Sequence, residues 1–125
     1  MISWTIAAWL AAASLWQPAD GPLLYRQCRA CHALEPGRNT PAGPTLYGVV
    51  GRDIAAEVGF NYSPEMRRFA AGEGRWTAAR LDRFLAAPEH VVAGTEMGFP
   101  GIPDPAERRR LIDWLGTNPG QAEGR

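Results

Sequence analysis

The stretch Cys28-Arg29-Ala30-Cys31-His32 places two thiols three residues apart, with an imidazole directly after the second thiol. The chain contains no other cysteine and only one other histidine, His90. In a helical segment, residues three apart lie about one turn apart on the same face. Cys28 and Cys31 can therefore act together on one bound group, and this pattern occurs in three kinds of site.

The three kinds of site are a redox dithiol, a zinc site and a covalently attached haem. A redox dithiol usually opens a helix in a βαβ setting, and no strand-like run precedes Cys28. A zinc site needs a second pair of ligands, and only His90 is left to supply one. The string C-x-x-C-H is the attachment motif of c-type haem. It predicts thioether bonds at Cys28 and Cys31, with His32 as the proximal ligand of the iron.

A methionine opposite the histidine fills the remaining coordination position of the iron, whereas an empty position allows gases or peroxide to bind. Met97 lies in a loop rich in glycine and proline, residues 94–103, which is able to wrap around a flat ligand edge. Met66 follows Ser63 and Pro64 at a predicted helix start, where a plain core contact is its simpler interpretation. Met97 is therefore the predicted distal ligand, and His90 or an open site are the alternatives.

Composition and charge exclude several other functions. Thirteen basic and thirteen acidic residues cancel, and every basic residue is arginine. The chain thus gives no reason to expect binding to nucleic acid, and chemistry that needs a lysine is excluded. One domain is expected from the length of 125 residues.

The first seventeen residues carry no charged side chain, and residues 2–16 form an apolar run that Pro18 closes. This run is shorter than the roughly 20 residues of a membrane span and suits an export signal, although no basic residue precedes it. We expect residues 1–19 to be a signal peptide or an N-terminal membrane anchor, and residues 20–125 to be the haem domain. A buried core helix is the remaining alternative for the N-terminal run.

Further motifs follow the haem motif in a fixed order. They are Gly43-Pro44-Thr45-Leu46-Tyr47-Gly48-Val49-Val50-Gly51-Arg52, Phe60-Asn61-Tyr62-Ser63, Trp76, Gly94-Thr95-Glu96-Met97-Gly98-Phe99 and Arg110-Leu111-Ile112-Asp113-Trp114-Leu115. In this order the chain resembles the class I cytochromes c over roughly residues 23–115. The resemblance implies a one-electron carrier with His/Met ligation, exported to the periplasm, and not an enzyme.

The resemblance also implies roles for single residues. Pro44 would offer its carbonyl oxygen to the His32 ring. The haem propionates would be held by four residues: Arg52, Tyr62, Trp76 and Thr95. Plain core packing is the alternative for Tyr62 and Trp76, since buried Tyr and Trp usually find polar partners in any case.

The helix signals agree with an all-α fold. Thr77 reads as the N-cap of a helix through Leu85, and Asp104 as the N-cap of the last helix, whose inner stripe would be Leu111, Trp114 and Leu115. An earlier short helix should begin near Leu23, and in the resembled family the first and last helices cross. The basic run 108–110 on the last helix is interpreted as a solvated face.

The expected partners are other redox proteins. The protein itself is expected to be a monomer, which is either free or tethered to the membrane through residues 2–16. The positions of the lysine ring of mitochondrial cytochrome c are occupied here by Gln27, Glu89, His90, Glu96, Pro103 and Asp104. Because these residues replace lysines, the docking face is expected to be neutral to acidic. A haem subunit of a larger dehydrogenase, or a peroxidase or gas-binding protein with a labile Met97, are the alternative functions.

Overall fold

The structure is a computed structural model and describes residues 20–123. Helices and loops make up this part of the chain, which holds no strand and only two isolated bridges, Thr40 with Gly43 and Asp53 with Arg75. The all-α prediction is confirmed. The six helices are α1 (Asp20–Tyr25), α2 (Pro64–Glu73), α3 (Ala78–Ala86), α4 (Pro88–Val91), α5 (Pro105–Leu115) and α6 (Pro119–Glu123).

Side-chain caps fix where the three longest helices begin. The Ser63 hydroxyl accepts from Met66 N at 3.2 Å, and the Thr77 hydroxyl accepts from Arg80 N at 3.1 Å. The Asp104 carboxylate accepts from Ala106 N at 2.9 Å. Each bond satisfies an amide that the first turn of a helix leaves without a partner. These helix starts are the predicted ones.

The core forms where α3 packs against α5. Leu81, Phe84 and Leu85 are the buried residues of α3, as their spacing predicts. On α5 the buried residues are Leu111, Ile112 and Leu115, with no exposed surface left on Leu111. Trp114, the third predicted member of the stripe, packs partly buried on the same core and contacts α1, and Ile112 is buried in addition to the predicted residues.

The first helix, α1, packs against α5. Gly21 lies against Trp114 so closely that a Cβ at this position would sit 2.1 Å from Cγ of the indole. The Tyr25 ring lies 5.7 Å from the Trp114 ring, centroid to centroid. Leu24 packs, partly buried, on the core that contains Leu111. The expected crossing of the first and last helices is present.

Three features differ from the sequence expectation. α1 already includes Asp20, three residues before the predicted start near Leu23. Pro88, expected only to end α3, begins the short helix α4. α6 was not expected. Its Gly120 is buried so close to Leu34 that a Cβ at this position would lie 2.2 Å from the Leu34 carbonyl oxygen. The predicted leader, residues 1–19, lies outside the described residues, so the boundary at residue 20 stays a prediction. Within residues 20–123 there is no helix with the length and apolarity that crossing a membrane requires.

Candidate haem site

The cysteine motif follows α1 as a series of tight turns. Cys28 N donates to Tyr25 O at 2.8 Å, and His32 N donates to Cys28 O at 3.0 Å. These bonds have helical spacing, so they keep Cys28 and His32 about one turn apart. Cys28 is half-buried and Cys31 is exposed, and burial together with the neighbouring Cys31 raises the pKa of the Cys28 thiol to about 11.

The His32 ring is fixed by the backbone of the next loop. Its Nδ1 lies 2.7 Å from Pro44 O, the contact that the resemblance implies. A carbonyl oxygen can only accept, so Nδ1 carries the proton and Nε2 presents its lone pair for a metal. Burial lowers the pKa of His32, and Arg52 adds to this effect, while the bond to Pro44 opposes it. The neutral ring that results is the form that binds metals.

Three further residues hold the same segment, and the sequence reasoning assigned none of them a role. A Cβ on Gly43 would lie 2.6 Å from Cε1 of the His32 ring, so only glycine fits there without a shift. The Thr40 hydroxyl donates to Cys31 O at 2.6 Å, and the Tyr25 hydroxyl donates to His32 O. The segment 28–32 is thus bonded on both sides, which orients the imidazole.

Arg52 forms the centre of a second group of polar residues. Its Nη1 donates to Thr45 O at 2.8 Å and to Tyr47 O at 2.9 Å, and it lies 3.3 Å from the Glu57 carboxylate. Its Nε is buried and has no hydrogen-bond partner, and no other side-chain nitrogen or oxygen within residues 20–123 shares this condition. A buried donor without an acceptor costs free energy, so this nitrogen is suited to an acidic group of a bound molecule.

Tyr62 belongs to the same group, because it contacts Glu57 in the loop that connects Arg52 with Tyr62. The Tyr62 hydroxyl oxygen accepts from Glu57 N at 3.1 Å, which leaves its proton available for a second acceptor. Burial raises the pKa of this phenol, the bond to Glu57 N opposes the shift, and the Arg52 charge also lowers it. Tyr62 therefore remains protonated at neutral pH and can donate.

Trp76 is held beside Arg52 by two backbone bonds. Trp76 N donates to Arg52 O at 2.9 Å, and Gly51 N donates to Trp76 O at 2.7 Å. Its ring, 6% exposed, lies 5.6 Å from the Phe69 ring and 5.0 Å from the Phe84 ring. These contacts agree with the packing alternative, and the backbone pairing places Trp76 next to the Arg52 group.

Met97 and Thr95 form a separate group in the methionine loop, which we define as residues 94–103. The Thr95 hydroxyl accepts from Met97 N at 3.3 Å, and Phe99 N donates to Met97 O at 2.8 Å. Met97 is partly buried and packs on the core, as does Met66 on α2. His90, the alternative ligand, is exposed on α4.

Known proteins resemble this chain over most of its length. Cytochrome c2 of Rhodomicrobium vannielii is 35% identical over 118 residues, which are 94% of this chain and 89% of that protein. The cytochrome cy of Rhodobacter capsulatus is 43% identical over 94 residues, but the chain spans only 45% of its length. In structure, cytochrome cH from Methylobacterium extorquens matches with a TM-score of 0.72 and 37% identity, over 81% of this chain and 98% of that one. No protein-family model matches.

The chain belongs to the class I cytochromes c. It is an electron-transfer protein rather than an enzyme, and it carries one covalent c-type haem with iron. Cytochromes c2 shuttle electrons to redox partners, and this chain likewise transfers electrons to redox partners.

The residues of this cytochrome fit a c-type haem by their own chemistry. Cys28 and Cys31 are its only thiols, and the fixed His32 ring presents one nitrogen to a metal. The buried Arg52 Nε needs an acceptor, which a propionate supplies. Within residues 20–123, no group of three or more histidine, cysteine, aspartate or glutamate side chains is placed to hold a metal ion without haem.

Proposed function

We propose that this cytochrome is a free one-electron carrier in which His32 and Met97 would be the two protein ligands of the haem iron. The bond from His32 Nδ1 to Pro44 O is the observation that carries the proposal, because it leaves Nε2 as the only ring nitrogen able to bind iron. Met97 is favoured over Met66 because it lies on a loop rather than within a helix. His90 is exposed, which does not suit a ligand inside the core.

The bound haem supplies the one-electron couple of its iron. The chain's own residues set the conditions for that couple. Pro44 fixes the tautomer and orientation of His32, and a methionine opposite a histidine keeps substrates from the metal and raises the potential. Arg52, Tyr62 and Trp76, together with Thr95, are the residues that we propose to hold the propionates.

Optical spectra of the purified cytochrome test this assignment. The pyridine adduct of the denatured protein reports thioether links at Cys28 and Cys31, and the ferric spectrum reports the iron–methionine charge-transfer band. We expect Met97→Leu to abolish this band and Met66→Leu, the same change on the other methionine, to leave it intact. A band that survives Met97→Leu contradicts the assignment.

The alternative functions predict different behaviour of the native protein. A subunit of a larger dehydrogenase co-elutes with its partner in gel filtration of native extract, whereas a free carrier elutes alone as a monomer. A peroxidase or gas-binding protein with a labile Met97 lacks a stable charge-transfer band. We expect a monomer with the band present.

Export to the periplasm is proposed from the apolar N-terminal run and is typical of bacterial cytochromes c2. Cleavage within residues 1–19 would release residues 20–125 as the haem domain, whereas an uncleaved run 2–16 would tether it. N-terminal sequencing of the exported protein separates the two cases. A mature product that begins at Met1 contradicts the signal peptide.

We also propose that the docking face is neutral to acidic. The six positions that replace the lysine ring are all exposed, and they carry three acidic residues and no arginine: Gln27, Glu89, His90, Glu96, Pro103 and Asp104. Charge complementarity governs the rate of encounter, so a neutral or basic partner face fits. A fast reaction with an acidic partner that salt suppresses would contradict this proposal.

A further inference from the structure

Arg108 is largely buried, which the basic run 108–110 does not predict. Its side chain is 11% exposed, although the sequence favoured a solvated face. Its Nε donates to Asp82 Oδ1 on α3 at 2.8 Å. Its Nη1 donates to Ile102 O at 2.7 Å and to Pro103 O at 3.0 Å. One guanidinium on α5 therefore contacts α3 and the last two residues of the methionine loop.

The end of the methionine loop is bonded to α3 as well. Ile102 N donates to Leu85 O at 2.7 Å, and Ile102 is 2% exposed. Gly101 has φ +113° and approaches the Ala86 carbonyl so closely that a Cβ would lie 2.3 Å from its oxygen. Arg108 supplies donors to the Ile102 and Pro103 carbonyl oxygens at this same place. A buried carbonyl without a donor is costly, so loss of Arg108 should loosen the loop at its end.

We propose that Arg108, aimed by Asp82, is a positioning residue that holds the methionine loop and so keeps Met97 in place on the iron. This inference rests on the proposed ligation by Met97. Only four residues lie between Met97 and Ile102, whose carbonyl is bonded to Arg108, so the position of the loop end limits where the thioether can lie. The planar guanidinium holds two carbonyls and one carboxylate at once, which the point charge of a lysine does not reproduce.

A plain salt bridge between helices does not explain these contacts. Asp82 is 40% exposed, and an ion pair with one partner so exposed contributes little to stability. The two bonds to loop carbonyls join Arg108 to the segment that ends the methionine loop. We therefore expect Arg108 substitutions to affect the stability of Met97 ligation as well as global unfolding.

The chain offers a matched control in Arg80. Arg80 Nε lies 3.0 Å from the Glu73 carboxylate, and Arg80 Nη1 donates to Arg75 O at 3.0 Å. This arginine thus also bonds one carboxylate and one carbonyl, but away from the methionine loop. Arg80→Lys and Arg108→Lys conserve charge, so a difference between them reports the position of the contacts rather than electrostatics.

The experiment measures binding of imidazole to the ferric cytochrome, because an external ligand enters only when Met97 leaves the iron. We expect Arg108→Lys to speed this binding by about tenfold, as lost bonds to a charged donor allow. Asp82→Asn keeps Arg108 but weakens the bond that orients its guanidinium, so it should increase the rate of imidazole binding by less. Arg80→Lys should stay within about twofold of wild type.

Two results separate failure of this inference from failure of the proposed function. If Met97→Leu abolishes the charge-transfer band but Arg108→Lys and Asp82→Asn bind imidazole at the wild-type rate, the positioning role is wrong. If Met97→Leu leaves the band intact, the ligand assignment fails and the inference fails with it. If Arg108→Lys does not fold, Asp82→Asn alone decides, with Glu73→Gln as its control.

Discussion

Gly43 shows how a single residue without a side chain shapes the haem site. A Cβ here would lie 2.6 Å from the His32 ring and 2.8 Å from Cys31 O. We expect Gly43→Ala to lower the free energy of unfolding by about 2 kcal/mol through overpacking. Gly72→Ala on α2, where nothing lies within 4 Å, should instead raise it by about 0.5 kcal/mol. Denaturant unfolding of both haem-loaded variants checks this, and equal effects would contradict the close contact.

Phe84 occupies the place where many class I cytochromes c have a tyrosine, whose hydroxyl reaches the ligating sulfur. It is 5% exposed and packs on Trp76. Phe84→Tyr would place the positive end of an O–H dipole near the thioether, which disfavours the oxidised state, so we expect a higher reduction potential. Phe69→Tyr, which changes the other phenylalanine in contact with Trp76, should leave the potential unchanged. A redox titration that shows no shift in Phe84→Tyr contradicts the placement.

At the scale of helices, the contact between α1 and α5 depends on the small size of Gly21. Because a Cβ there would overlap the Trp114 ring, we expect Gly21→Ala to lower the free energy of unfolding by roughly 2 kcal/mol. Trp114→Leu removes the ring, so in the double variant the cost of the alanine should fall. Additive effects in this double-mutant cycle would show that the two residues do not meet.

The sequence predicts those parts of the helices that local chemistry determines. Ser63, Thr77 and Asp104 cap their helices, because an oxygen side chain beside unpaired amides is a local signal. The placement of Gly21 on Trp114 was not predictable, since it depends on how distant helices meet. Spacing alone likewise did not show that α5 also buries Ile112 and leaves Trp114 partly exposed against α1.

The same distinction applies to the haem site. The motif and its resemblance were enough to name His32 and its contact with Pro44. Arg108 was misread, because a run of three arginines does not indicate which member bonds a carboxylate on another helix and two loop carbonyls. The partner, Asp82, lies on another helix, so only the fold reveals the pair.

For the whole molecule, a net charge of zero hides an uneven surface. The proposed docking face carries Glu89, Glu96 and Asp104, whereas other acidic residues are paired with arginines, as Asp20 is with Arg110. Local charge rather than net charge steers a small redox partner at short range, because salt screens interactions beyond about 10 Å. Small charged reagents can therefore probe this face without a known partner.

Electron transfer to anionic and cationic metal complexes tests the charge of this face. We expect rising ionic strength to speed the reaction of the cytochrome with an anionic oxidant and to slow its reaction with a cationic one. Glu96→Lys, next to Met97, should accelerate the anionic reagent by about fivefold at low salt, since two units of charge at short range correspond to about 1 kcal/mol in water. Asp113 is exposed on α5 and is not one of the six positions of the face, so Asp113→Lys makes the same change in net charge and should have little effect. Equal acceleration by both variants would mean that the rate of electron transfer does not depend on the charge of this face.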